Sequence, residues 1–212
     1  MGIRKRAVRG CTALVSSVVI ALPMVAAVAP AKAADAAAQS GGQVVISEIA
    51  NGGPGGYHDN FIEVANWGDQ PVDVTGWELF RCTGTGSVAS APQNTLEGTI
   101  GAGERWVFAR ESDQSTIVDA DVKQRYKTSL ANESYGALLR DSSGEDVDAV
   151  AVQFPGTANQ ACGEGTVLAN TTDSAAGESF QRTQDTDDNA ADFILSLIHI
   201  SEPTRQAAIS YA

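Results

Sequence analysis

Histidine is nearly absent from this sequence. Two occur in 212 residues, His58 and His199, too few for a histidine-rich zinc site or a two-metal hydrolytic centre. No Gly-x-Ser-x-Gly elbow occurs, which removes the strand-to-helix placement of an activated serine. Positive charge is scarce as well, with 14 Lys plus Arg against 26 Asp plus Glu. Five of those cations (Arg4, Lys5, Arg6, Arg9 and Lys32) precede residue 34, leaving nine against 26, a net charge of −17, for the remainder. Phosphate affinity rests on Lys and Arg releasing counterions, so direct nucleic-acid binding by this acidic segment is disfavoured and anionic lipid is repelled. Amphipathic helical periodicity is missing between residues 43 and 193, which argues against an α/β fold.

What is present at the N-terminus is a basic start, an apolar run from Ala13 to Ala29 broken by Ser16, Ser17 and Pro23, and the small-x-small site Ala31-Lys32-Ala33. This pattern is expected to be a cleaved secretory signal over residues 1–33, leaving a secreted chain without a membrane span. An uncleaved anchor of about 20 residues is the alternative. Cys11 precedes the apolar run and leaves with the signal. Residues 34–42 (ADAAAQSGG) read as a flexible leader. At the other end, Leu195 to Arg205 (LSLIHISEPTR) resembles an in-frame translation of a sequencing adapter. Residues 194–212 are therefore expected to be an artefactual tail, with a short amphiphilic peptide as the alternative.

Residues 43–193 are expected to form one domain, long enough to bury a core. Val44 to Ile46 with Ile49, and Phe61 to Asn66, read as strands, with Ile62 and Val64 facing a core and Glu63 facing water. Asn51 to Asn60 is a Gly-Pro loop. Asn66 to Pro71 supplies the residues of a tight turn, after which Val72 and Val74 share a face and Trp77 and Leu79 point inward. Thr95–Ile100 with Trp106–Ala109 is expected to be one hairpin, and Tyr135–Leu139 with Val147–Val152 another, turning at Asp141–Gly144. Asp113 to Leu130 reads as a long loop, with one helical turn inside it as the alternative, and Gly156 to Gly177 reads as a loop. Ser179 to Arg182 is the last expected strand, before a polar run to Asp192. About seven short strands with regular turns predict an all-β, immunoglobulin-like β-sandwich, with Ile62, Val64, Trp77 and Leu79 as structural core. Cys82 and Cys162 survive processing, and in an exported chain an even pair predicts a disulfide. Two separate buried thiols are the alternative.

These segments resemble the lamin-tail domain of bacterial secreted and surface proteins. The resemblance is carried by Ile46, Glu48 and Ile49, by Phe61 to Val64 with Asn66, by Gly68-Asp69, Pro71 to Val74 and Gly76-Trp77, by Ile100 and Gly103, and by Leu139, Asp141, Gly144, Val147 and Asp148. Ser47 stands where the family usually has Asn, and Ala131 to Ser134 departs from its usual Asn-x-Gly-Asp. The resemblance implies an immunoglobulin-like module for scaffolding, tethering or recognition, with no catalytic, cofactor or metal residue to carry over. It also implies an alternative. Such modules often precede an endonuclease/exonuclease/phosphatase-type domain, which makes the front portion of a secreted hydrolase the second expectation for this chain.

Three constellations remain. His58-Asp59 is the one histidine-carboxylate neighbour pair outside the tail, and it reads as an exposed loop histidine because a base needs further partners. Asp185 to Asn189 spaces oxygens as a calcium loop does, but Ala190 replaces the glycine and no Glu stands at position twelve, so a solvated acidic turn is favoured. Lys123, Arg125 and Lys127 around Tyr126 form the basic cluster of the acidic domain. It suits an anionic glycan or nucleic acid, against a solvated loop balancing Asp119 and Asp121. The partner is expected to be an extracellular protein or polymer, no cofactor is expected, and the chain is expected to be a monomer.

Overall fold

The computed structural model describes residues 43–153, 162–172 and 177–197. The signal, the leader, residues 154 and 155, residues 156–161 and 173–176 of the Gly156–Gly177 loop, and residues 198–212 of the tail with His199 lie outside the described residues.

Branched side chains suit a pleated surface, and Val44, Val45, Ile46 and Ile49 build β1 (Val44–Ala50). It pairs with β2 (Phe61–Asn66). The register shifts between Ile46 and Glu48, so Ser47 is an extra residue. This bulge resets the alternation, and Val44, Ile46 and Ile49 all reach the core. The chain then forms β3 (Val72–Asp73), β4 (Glu78–Arg81), β5 (Asn94–Thr95), β6 (Thr99–Ile100) and β7 (Arg105–Arg110). After these come β8 (Val122–Tyr126), β9 (Tyr135–Arg140), β10 (Asp146–Gln153), β11 (Leu168–Ala169) and β12 (Glu178–Arg182). A single helical turn, α1 (Asn189–Asp192), leads into β13 (Phe193–Leu197).

Two sheets face each other in an immunoglobulin-like sandwich. One has the order β13-β12-β1-β2-β7-β8, the other β11-β10-β9-β4-β5, and β3 with β6 makes a small third sheet. The core between them takes Ile46, Ile49, Ile62, Val64, Trp106 and Phe108 from the first sheet and Leu79, Tyr135, Leu139, Val150 and Val152 from the second. Cys82 and Cys162 are disulfide-bonded, with Cα atoms 6.2 Å apart. No helix among the described residues is long and apolar enough to cross a membrane.

Several expectations need correction. Ile62, Val64 and Leu79 are fully buried, but Trp77 is only partly buried and packs against the cluster. It lies in the turn entering β4, where its N–H donates to Val74 O and its carbonyl accepts from Leu96 N. The indole between the sheets is that of Trp106, on β7 opposite Val64. Glu63 does not face water. It is buried, accepts from Ser47 Oγ at 2.6 Å and pairs with Arg105 at 2.7 Å. The expected Thr95–Ala109 hairpin does not form. β5 pairs with β4, β6 with β3, and β7 with β2. The turn before β7 is tied instead to Asn66, through Gly103 N to Asn66 O and Asn66 N to Glu104 O, which hands β7 to β2.

Asp113–Leu130 is not all loop either, since β8 runs parallel to β7. The register shifts so that Val107 faces Val122 and Phe108 faces Gln124, leaving Lys123 as an extra residue. Val122 therefore packs with Val107 and Ala109 on one side and Tyr126 with Phe108 on the other, and no alternation can be read from the sequence. β11, parallel to β10, lies inside the stretch expected to be loop. β12 is not the last strand, because β13 pairs with it from Arg182↔Phe193 to Glu178↔Leu197. The sheet thus runs past the expected boundary at residue 193.

Candidate functional site

The densest charged constellation surrounds Arg182, whose side chain has 0% exposure. β12 brings it under the core edge, where Nε donates to Ile46 O at 3.1 Å, Nη2 to Asp148 Oδ1 at 2.5 Å and Nη1 to Asp185 Oδ1 at 2.7 Å. Asp192 lies 3.4 Å and Glu164 3.7 Å away, and the Phe193 ring packs 4.6 Å from the guanidinium carbon. Asp148 Oδ2 accepts from Ile46 N at 2.5 Å. Burial pushes the Asp148 carboxyl well above its ordinary range against the pull of Arg182, with Glu164 adding to the rise. Burial raises Glu164 too, again against Arg182. The two therefore titrate as a pair.

Oxygens of Asp148, Glu164 and Asp185 lie within 4.8 Å of one another, but the Arg182 guanidinium already bridges all three. The trio serves the protein's own cation. The acidic run after β12 is exposed from Thr183 to Asp187, as a solvated turn is, and it is anchored at its far end by Asn189 and Asp192. Asp192 is fully buried and accepts from Thr186 Oγ1 at 2.6 Å, Thr186 N at 2.9 Å and Asp188 N at 3.3 Å. Asp188 caps α1 by accepting from Ala191 N at 3.2 Å. Asn189 Oδ1 accepts from Ala151 N and Glu164 N, and its Nδ2 donates to Ala149 O.

His58 and Asp59 are neighbours in sequence with separate partners. His58 Nδ1 lies 2.8 Å from Ser112 Oγ, and its ring meets that of Tyr57 at 4.0 Å. Asp59 is buried and accepts from Gly55 N, Ser115 Oγ, Thr116 N and Thr116 Oγ1. Burial works to raise its carboxyl, and these donors outweigh it, holding it below the ordinary value. Asp59 thus pins the Gly-rich loop to the 112–117 segment. Ser112 also accepts from Gln114 N at 3.2 Å, as a turn-forming serine does. Sequence reasoning did not foresee Ser112, which lies 54 positions from His58.

Lys123 and Arg125 lie on β8 and Lys127 just past its end, and the three line a polar cleft of about 800 Å³ between β8 and β5, together with Gln93, Asn94, Glu97 and Thr128. Arg125 is fixed by Asp119 at 2.5 Å and by the carbonyls of Arg110 and Ile117. Lys123 Nζ sits 3.8 Å from the Trp106 ring centroid, and Lys127 is exposed.

The pairing of β1 with β2, the tight turn at Asn66 and the β9–β10 hairpin make up the part of the chain that compares with known proteins. Residues 37–153 match the family model described as Lamin Tail Domain. No curated protein matches the chain. With more than half its length covered by that match and two facing β-sheets to accommodate it, this chain belongs to the lamin tail domain family.

Proposed function

We propose that this chain is a secreted, bacterial, non-catalytic β-sandwich module that tethers or positions a larger extracellular protein through surface contacts. One observation carries the reading: the carboxylates that chemistry would recruit are committed to architecture. Asp59 holds four donors of a loop, and Asp148, Asp185 and Asp192 surround the buried Arg182. Secretion is supported by the signal pattern of residues 1–33 and by the Cys82–Cys162 bond, which persists in oxidising compartments. The adapter-like text of residues 195–205 belongs to the same reading. The test is retention of the oxidised chain on insoluble cell-wall glycan and on extracellular polymers, alongside a DNA-hydrolysis assay. Retention without turnover is expected. Hydrolysis of DNA by the purified chain overturns the proposal.

A further inference from the structure

We infer that a pocket at Arg81 captures the C-terminal carboxylate of a peptide whose last residue is small and aliphatic. This deepens the recognition role proposed above by naming its partner class. Among the described arginines, Arg105, Arg125, Arg140 and Arg182 pair with carboxylates, and Arg110 lies over the Tyr57 ring and donates to Tyr57 O. Arg81, partly buried at the end of β4, is the one among them whose guanidinium has no partner. A charge drawn partly out of water with no counter-ion costs stability, and a ligand's carboxylate supplies the missing anion. The backbone beneath it is fixed. Arg81 stands opposite Ala137 of β9, its carbonyl accepts from Ala89 N, and the next residue is Cys82 of the disulfide.

The pocket holds about 280 Å³, and no carboxylate of the described residues lines it. Ser90 and Thr128 line it with hydroxyls that make no hydrogen bond among the described residues. Gln93 is held by its Nε2 on Thr128 O, which leaves Oε1 as an acceptor. Val88, Ala89 and Pro92 make an apolar wall. Each group answers one part of a chain end. A planar guanidinium binds a carboxylate through two parallel N–H donors, and the two hydroxyls add donors to the same oxygens. Gln93 Oε1 accepts the last peptide N–H, and the wall takes a short aliphatic side chain. The volume lies just below the roughly 300 to 1,000 Å³ of sites for drug-sized ligands, so the pocket takes the end of a chain and not its middle. The net charge of −17 beyond residue 33 repels polyanions, which leaves a single carboxylate on a neutral body as the anion admitted at least cost.

The probe is the dipeptide Nα-acetyl-Ala-Ala, titrated into the oxidised, 15N-labelled chain. Amide shifts at Arg81, Ala89 and Gln93 are expected at millimolar peptide. Affinity is expected to fall at least about tenfold when the peptide's C-terminus is amidated and in the Arg81→Gln variant. Amidation alters only the ligand, so the inference stays open to refutation even where the variant fails to fold. Equal binding of the amidated peptide, or the same shifts produced at lower concentration by inorganic phosphate, overturns the inference. So does the absence of shifts at millimolar peptide. A second arm with the D-configured dipeptide separates two sources of one chemistry. Tighter binding of the D form points to a cell-wall peptide and of the L form to a protein C-terminus, and either supports the pocket. If both dipeptides fail while the chain is still retained on cell wall, the Arg81 assignment falls and the tethering role stands. If a dipeptide binds and no polymer retains the chain, the pocket stands and the tethering role falls.

Discussion

A guanidinium shut away from water needs its charge answered by neighbours, and Arg182 finds its partners in Asp148, Asp185, Asp192 and Glu164. The raised carboxyls of Asp148 and Glu164 fix the sign of the pH dependence. Their folded-state affinity for protons exceeds that of the unfolded chain, so their contribution to stability is full below the ordinary carboxylate range and is lost as pH rises above it. Arg182→Met removes the one cation that compensates them among the described residues and leaves buried carboxylates stranded, at a cost of about 3–5 kcal/mol near pH 7. That loss shrinks as pH is lowered toward 4 and the carboxyls take protons. Denaturant melts of both proteins across that range check it, and a pH-independent difference contradicts the assignment. The network is legible in hindsight. Asp148 shares a face with Val150 and Val152, and Arg182 with Phe180, so each strand carries a charge on its apolar side, and two such charges call for each other. Trp77 misled for the opposite reason: its indole is as apolar as that of Trp106, and only the turn that holds it keeps it partly exposed.

Long strands bounded by strong turns could be read directly, and the β9–β10 hairpin is the clearest case. The turn at Asp141 closes with Gly144 N donating to Asp141 O, and Gly144 has φ 93°. Within this hairpin Gly136 opposes Ala151, and a Cβ built there would lie 2.3 Å from Val150 O and 3.1 Å from Cys82 Sγ. Both neighbours are held, one by the ladder and one by the disulfide. Gly136→Ala is therefore expected to destabilise by about 2 kcal/mol, lowering Tm by roughly 4 to 8 °C. Thermal unfolding measures this, and an unchanged melt contradicts the packing. The elements missed from the sequence are short or at sheet edges. β8 carries a register shift at Lys123 amid polar residues, and β11 has two residues. β13 exposes Ile194, Leu195 and Leu197, so its apolar residues follow no inward pattern. The Thr95–Ala109 segment failed differently. Its turn chemistry was read correctly, but the choice of partner strands depends on Asn66, more than thirty residues away.

For the molecule as a whole, the Cys82–Cys162 bond links the end of β4 to the connection between β10 and β11, across a sequence separation of 80. In the chain-entropy account, closing such a loop stabilises the fold by about 4 to 5 kcal/mol. The Cys82→Ser/Cys162→Ser double variant is expected to lose stability of that order and to unfold identically with and without reductant, whereas the natural chain is expected to lose stability when reduced. A natural chain indifferent to reductant would falsify the contribution assigned to the bridge. The placing of β1 has another kind of consequence. It is the first strand of the described fold, yet it lies inside its sheet, antiparallel to β2 on one side and to β12 on the other. Tension drawn along the backbone at Gln43 therefore loads both ladders together in shear, and cannot peel the strand away one bond at a time. The sandwich is thus arranged to bear a mechanical pull from its N-terminal side without unzipping.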